Sequence, residues 1–427
     1  MQMSSFWRIF SLEITAAVRS KSLVLLLVAS VAWMFAAPLL FVGDGTIEGA
    51  RAISVHYSLG GVAALLTISI LASATGAIAR ERAEKRLQLT LVRPVRYTVV
   101  AFAKIIALSA IGALVLAVAS VVEACRSDLS RPCRHVLSPV MPTPREEALV
   151  MYEAFMGDPS TPAKVRKAKK SVVLRLLAQR SLDRYDTVAT NDTLRWTFKS
   201  KGPLPDDGLS VRLRFTNAYD IRDEVRGELR LRVGDSTWSG SVSNITQAVV
   251  EIPLKRISSI SESVTDAELA FCNTGRSALM LRPRRDVNLL VPADGFGWNL
   301  IRAYLELVAM VSLIAAIGVF LGAGLGRPVA IFTATVALAV SEMSPSVIEQ
   351  YPDELETDRI DAIGLYITRA AAEVTHPISS IEPLARLSED ACVERREVAR
   401  TVLVNVVIAP LVLAVLAALL IPRKVEN

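Results

Sequence analysis

Residues 80–104 read RERAEKRLQLTLVRPVRYTVVAFAK, a densely basic stretch between two apolar ones. Seven basic residues (Arg80, Arg82, Lys85, Arg86, Arg93, Arg96 and Lys104) stand against two acids, Glu81 and Glu84. The stretch joins two apolar runs, each long enough to be a membrane span. Short loops rich in Lys and Arg stay on the cytoplasmic side of a membrane. This loop therefore sets the expected orientation of all the rest, and it is the stretch placed to meet a cytoplasmic partner.

Working outward, the apolar runs are easily bounded. Tyr57 to Ala79 precedes the loop without a charge, and Ile105 to Val122 follows it without one. Ser22 to Val42 is a further uncharged run of 21 residues, about 31 Å as a helix and enough to cross the hydrocarbon. Before it, Phe6, Trp7, Phe10, Ile14 and Val18 recur at helical spacing, with Arg8, Glu13, Arg19 and Lys21 facing elsewhere. Such a helix lies in the headgroup layer or extends the first span into the cytoplasm. No secretory signal is read at the N-terminus. Lys104, at the head of its span, is expected to snorkel to the inner surface.

Leu307 to Gly326 and Thr401 to Pro422 are two more runs of span length, and Pro328 to Ser341 is an uncharged run of only 14 residues. Residues 344–400 hold twelve acids and six basic residues, a poor composition for a short cytoplasmic loop. Counting 328–341 as a span places them outside and leaves Arg423-Lys424 inside. Six spans with both termini cytoplasmic follow, with a short helix at Asp358–Glu373 lying on the membrane. Arg302 and Glu306, near the outer end of the fourth span, are expected to snorkel. Asn405 and Pro410 lie within the last span, where a polar side chain bonds a neighbouring helix. Gly322, Gly324 and Gly326 allow close helix packing.

Glu123 to Trp298 is polar and broken by Pro and Gly, and it follows an odd number of spans, so it is expected outside. Arg145 to Asp186 reads as helical, with Val172, Val173, Leu176 and Leu177 on one side. The basic residues from Lys164 to Arg180 read as a solvated face, with anionic lipid as the alternative. Strand alternation follows: Val211, Leu213 and Phe215; Leu229, Leu231 and Val233; and runs at Leu194–Lys199, Ala248–Ile252, Glu268–Cys272 and Val287–Leu290. These predict an antiparallel β-sandwich-like domain with a helical lead-in. The expected fold is thus membrane α-helical with six transmembrane helices plus an extracytoplasmic, mainly β domain. Its divisions are 1–122, 123–298 and 299–427, with an outer loop at 344–400.

Composition agrees. The chain has 427 residues, of which 52% are hydrophobic and 21% charged, and its mean hydropathy is +0.40. Apolar spans with charges outside them account for both figures. Three His, four Cys and no zinc-type spacing leave no metal site to propose, and no phosphate-loop motif occurs. No basic-aromatic run suggests nucleic acid. His135 is the only histidine of the outer domain, and no Ser-His-Asp grouping stands out, so catalysis is not expected. Cys125, Cys133, Cys272 and Cys392 all fall in outer segments, where disulfides persist. Four cysteines allow three pairings. Nearness in sequence favours Cys125–Cys133, which leaves Cys272–Cys392; four free buried thiols are the alternative.

The segment IARERAEKRLQLTLVRPVRYTVVAFAKIIAL resembles the signature of ABC-2-type export permeases. There the second span runs into an Arg-Glu pair, a run of leucines, a Pro turn with a basic residue, and a Lys-led third span. Here these are Arg80-Glu81, Leu87, Leu89 and Leu91, Arg93-Pro94 with Arg96, and Lys104. Arg86-Leu87 stands where the family usually has Gly-Thr. The large insertion resembles the gliding-motility and copper-enzyme-maturation permeases. The resemblance implies a transport subunit rather than an enzyme, coupling a separate cytoplasmic ATPase to movement of a substrate or force across a bacterial inner membrane. ATP and Mg would bind that partner, with no cofactor on this chain. A second permease chain, identical or a sister, would complete the path, and a periplasmic partner or ligand is expected on the outer domain. It also implies that the loop docks on the ATPase. Glu81, Arg82, Glu84 and Arg86 would set partner choice. Leu87, Leu89 and Leu91 would supply a buried anchor. Arg93-Pro94 would turn the chain back. The alternative is a membrane-anchored outer domain that binds or assembles without transport.

Overall fold

The computed structural model describes residues 2–19, 21–41, 47–84, 96–159, 161, 166, 170–182, 184–217, 223–254, 264–350, 366 and 382–425. The chain divides into two compact units. One comprises Met1–Arg131, Gly295–Ser346 and Gly364–Asn427; the other comprises Pro132–Asp294 and Val347–Ile363.

The first unit is helical. Its elements are α1 (Gln2–Arg19), α2 (Lys21–Leu40), α3 (Ile47–Ala83) and α4 (Tyr97–Arg126). The second unit's α5 (Pro144–Gly157), α6 (Lys170–Leu182) and α7 (Pro283–Asp286) come next in the chain. The helical unit resumes with α8 (Phe296–Gly324), α9 (Arg327–Gln350), α10 (Glu382–Ser388), α11 (Arg395–Val402), a π-helical stretch (Leu403–Ile408) and α12 (Ala409–Val425).

Four helical segments are long and apolar enough to cross a membrane: Ala52–Glu81, Tyr97–Arg126, Phe296–Gly324 and Arg395–Leu420. A fifth becomes possible if Ser5–Arg19 and Val24–Leu40, whose axes differ by 64°, are taken as one broken span. The stretch expected as a short span lies in α9, whose apolar part, Arg327–Ala339, is below span length. The expected helix at Asp358–Glu373 falls outside the described residues, apart from Tyr366.

One apolar core joins α3, α4, α8 and α12, with Leu66, Ile105, Leu116 and Val319 fully enclosed. Glycines set how closely α8 meets α3. A Cβ on Gly318 would come within 2.6 Å of the Ala74 Cβ, and one on Gly322 within 2.4 Å of the Thr75 carbonyl oxygen. Hydrocarbon does not drive helices together, so such close backbone contact is a main source of their cohesion. Gly322 thus has the packing role expected of it. Across the bundle, a Cβ on Gly112 of α4 would meet Val311 at 2.4 Å and Leu66 at 3.7 Å.

The last span is interrupted where its sequence demands it. Pro410 has no N–H and its ring clashes with the carbonyl four residues back. The π-helical stretch at Leu403–Ile408 lies just before it, and the Ala409 N–H donates to the Val404 carbonyl, one residue further back than an α-helix would allow. Asn405 lies inside this widened turn. It is 1% exposed and its Oδ1 has no partner, so the interhelical bond expected for it is not made by that oxygen.

The second unit is β-rich. Its strands are β1 (Pro132–Leu137), β2 (Asp186–Val188), β3 (Thr193–Lys199), β4 (Ser210–Arg214), β5 (Glu224–Val233), β6 (Ser236–Ile245), β7 (Val249–Pro253), β8 (Asp266–Asn273), β9 (Leu279–Leu281) and β10 (Val287–Gly295). They form sheets in the orders β1-β10-β4-β7 and β3-β8-β5-β6, with a small β2-β9 pair. The pairings β10–β4, β4–β7, β3–β8, β8–β5 and β5–β6 are antiparallel. Both larger sheets feed a single core. Val211 and Leu213, with Phe215 just beyond β4, meet Trp196, Leu229, Leu231 and Phe271, and the Phe215 and Phe271 rings lie 4.6 Å apart. Strand β5 alternates exposed and buried along its whole length, as its Arg/Leu alternation requires. At Gly234, φ is +58°, which suits the two-residue Gly-Asp turn between Val233 and Ser236.

The helical lead-in breaks into α5 and α6, packed on each other through Ala148, Val173, Leu174, Leu177 and Ala178. Val172 and Leu176, expected on the apolar side, are half exposed, and Leu174 and Ala178 replace them. A capping box starts α5: Thr143 Oγ1 accepts from the Glu146 N–H at 3.2 Å, and Glu146 Oε2 accepts from the Thr143 N–H at 2.7 Å. Those bonds hold the Glu146 carboxyl below the usual range.

Cysteine departs from the expected pairing. Cys133 and Cys392 are disulfide-bonded, while Cys125 and Cys272 are free thiols. Neighbours in sequence are not neighbours at the sulfur here. Cys125 belongs to the last turn of α4 and is exposed, whereas Cys133 is fully buried in β1.

Candidate functional site

The site lies at the end of α3 and the start of α4, the two helices that flank residues 85–95. Helices α3 and α8 run in the same direction, as their Ala74–Gly318 and Thr75–Gly322 contacts fix, and α4 runs back against them. The C-terminal end of α3 and the N-terminal end of α4 therefore share one end of the bundle. Arg327, opening α9, joins them there, its guanidinium 3.4 Å from where a Gly76 Cβ would stand. Gly324 approaches Leu420 of α12 at the same end.

At the centre of this end is Lys104. Sequence reading has its ammonium snorkelling to the surface; it is instead enclosed, at 2% exposure. Its Nζ donates to Glu81 Oε1 at 2.8 Å and also to Glu13 Oε1. An enclosed ammonium is tolerated when paired and hydrogen-bonded, and here both partners are carboxylates. Glu13 comes from α1, Glu81 from the last turn of α3, and Lys104 from the third turn of α4. One cation thus pins the amphipathic helix to both stems of the basic loop.

Packing reinforces the pin. Phe6 of α1 lies 6.1 Å from Phe102 of α4 and stacks on Phe10, and Trp7 meets Phe10 edge-on at 5.5 Å. Phe6, Phe10, Glu13, Ile14 and Ala17 face inward, while Trp7, Leu12 and Val18 are more than half exposed. Helix α1 is therefore amphipathic in a divided sense. One flank lies against α4, and another presents large apolar side chains outward.

Of the residues assigned to docking, Glu81 is in this cluster, and Arg82 lies in the same turn of α3. Glu84 is exposed at its end. Arg86, Leu87, Leu89, Leu91, Arg93 and Pro94 lie outside the described residues. Glu13 was missed. Its signal is the lone acid in the middle of α1, which needs a basic partner once that face is covered.

The opposite end of the bundle carries a second polar group. Asn299 is fully buried. Its Nδ2 donates to the Ala391 carbonyl at 2.8 Å, and its Oδ1 accepts from the Val393 N–H at 2.8 Å. Arg302 Nη1 donates to the Val393 carbonyl at 3.3 Å. Arg302 and Glu306, expected to snorkel, are both buried, and the bond to Val393 ties Arg302 to the chain at 391–393. Arg131 pairs with Asp390 beside this segment. Glu123, taken from sequence as the first residue of the outer domain, is enclosed in the last turn of α4 at 2% exposure. Ser127 Oγ donates to its Oε1 at 2.8 Å. Among the described residues, no group of three His, Cys, Asp or Glu side chains is arranged to hold a metal ion.

Comparison with protein-family models, with curated proteins and with solved structures finds no match to this chain.

Proposed function

We propose that this chain is the membrane permease subunit of an ATP-driven exporter. In this reading it has six spans in a bacterial inner membrane, with the loop 85–95 and both termini in the cytoplasm. A separate ATPase subunit binds ATP and Mg and docks against the loop through Arg86, Leu87, Leu89, Leu91 and Arg93. A second permease chain completes the path. The observation that carries the reading is the Glu13–Lys104–Glu81 cluster, which ties α1 to both stems of the loop.

The physics of that arrangement suits transmission. A push on the loop reaches α3 and α4 at their ends. Because Lys104 bridges both to α1, the three move as one element rather than fraying separately. Helix α3 then meets α8 backbone to backbone at Gly318 and Gly322. Close packing passes a displacement on rather than absorbing it. The β-rich unit, with its own core, would be the part that grips a ligand or partner outside.

The test is purification of the tagged chain from its native membrane in mild detergent, with co-purifying chains identified. A stoichiometric ATPase that is lost when residues 85–95 are scrambled supports the reading. A well-folded chain that brings down no ATPase overturns it, and leaves the β-rich unit as the working part of an anchored binding protein.

A further inference from the structure

A groove of about 570 Å³ runs between the C-terminal end of α4 and the N-terminal end of α8. Ala117, Ser120 and Ala124 form one wall, and Leu300, Ile301 and Tyr304 form the other. Gly295 and Gly297 line one end of it beside Leu129, whose backbone oxygen lies 3.3 Å from where a Gly295 Cβ would stand. No lining residue is charged. The Tyr304 hydroxyl is already used, donating to the Ala113 carbonyl at 3.3 Å. What faces the groove is therefore almost entirely carbon.

We infer that this groove holds one acyl chain of a membrane phospholipid. Both bordering helices are of membrane length. Two of the lining side chains are outward apolar ones: Val121 is 61% exposed and Ile301 47%. That surface is compatible with hydrocarbon and not with water. Trp298, 66% exposed, stands at the mouth, where an indole marks the boundary between hydrocarbon and headgroups. From Gly297 to Tyr304 the wall rises along the helix axis for about 10 Å at the usual rise per residue. A trough along the axis matches a lipid chain, which lies roughly parallel to spanning helices.

A second protein chain fits less well. Protein interfaces carry a polar rim with about one hydrogen bond per 100–200 Å², and none of the residues lining this groove is charged. An acyl chain needs no hydrogen bond. The small side chains on α4 give it a bed at the depth where larger ones would leave only a flush surface. The inference requires that these helices lie in a bilayer; it does not require the chain to be a permease, so the two proposals fail separately.

The experiment places the full-length chain in bilayer discs of phosphatidylcholine that carries a photoactivatable diazirine on one acyl chain. Labelled peptides are then mapped by mass spectrometry. Label should be severalfold denser on peptides containing 117–124 and 297–304 than on α2, whose Val24, Leu25 and Val28 are equally open to lipid. Ala117→Leu with Ala124→Leu fills the trough and should bring that label down to the α2 level. Leu114→Ala, at an exposed position of α4 that does not line the groove, should leave it unchanged. If the double variant does not fold, Ser120→Phe fills the same space from a partly buried position. Equal label on groove and α2 in the unaltered chain overturns the inference. So does undiminished label in a folded, filled variant, or crosslinks from groove residues to a second copy in place of lipid.

Discussion

Replacing Lys104 with Met removes the one cation between Glu13 and Glu81 and keeps most of the side-chain volume. Its two partners are then left facing each other. Both carboxylates are about a quarter exposed or less, at 20% and 27%, so water relieves only part of their repulsion. Breaking a buried pair by deleting one member costs about 3–5 kcal/mol. An attraction of about 4 kcal/mol per contact at surface-like dielectric gives the same scale, and the partial exposure puts the expectation at about 3 kcal/mol. Glu81→Gln alone should cost less, about 1–2 kcal/mol, since Glu13 still compensates the ammonium. The triple change Lys104→Met, Glu13→Gln, Glu81→Gln removes all three charges and should recover to within about 1 kcal/mol of the unaltered chain. The assay is thermal unfolding of the full chain in one detergent, followed by tryptophan fluorescence, with the variants compared as a cycle. A Lys104→Met chain as stable as its parent would refute the pin. So would a triple variant no more stable than the single, since the loss would then come from packing rather than charge.

Asn299→Leu strips two hydrogen bonds from the backbone at 391–393 and should cost about 2–4 kcal/mol, read as faster amide exchange at Val393 with little change in the β-rich unit. Gly322→Val drives a side chain into the Thr75 carbonyl and should cost about 1–3 kcal/mol; an unshifted unfolding midpoint would show that α3 and α8 are not in backbone contact. A membrane-permeant maleimide on the denatured, unreduced chain should label Cys125 and Cys272 alone, with Cys133 and Cys392 joining only after reduction. The Glu146 cap should be pH-dependent with a definite sign. Its folded pKa lies below the ordinary 4.5, so its contribution is full above that value and fades as pH falls through the folded pKa. Protection of the first-turn amides of α5 should therefore drop below pH 4.5 in the parent chain and be flat with pH in Glu146→Gln.

Much of the architecture was legible beforehand because it rests on composition along the chain. Membrane length needs about twenty apolar residues, and the runs at 57–79, 105–122, 307–326 and 401–422 supply them without a charge. Strand alternation at Val211–Phe215 and Leu229–Val233 was equally plain, since one wet face per sheet imposes period two. Strand β6 was not legible. Its Ser-rich sequence carries little hydrophobic alternation, and it is a strand because β5 pairs with it. The cysteine pairing failed for a related reason, since nearness along the chain says nothing about which sulfurs face one another.

For the site, sequence located the loop and Lys104 but gave Lys104 the wrong surroundings. A lysine at a span end has two solutions, to reach out to water or to find carboxylates, and local sequence does not choose between them. The choice depends on α1 folding back so that Glu13 arrives from 91 residues away. Arg302 repeats the lesson, because its guanidinium meets the carbonyl of Val393, 91 residues further on. Burial of a charge is a property of what packs over it, and that is decided by elements distant in sequence. What the sequence determined by itself was the local physics: span length, strand period, the proline that widens the last helix, and the basic loop between two apolar runs. Partnership came from the fold alone: which carboxylates meet Lys104, which carbonyl Gly322 touches, and which thiols are free, because each depends on contacts that no single stretch contains.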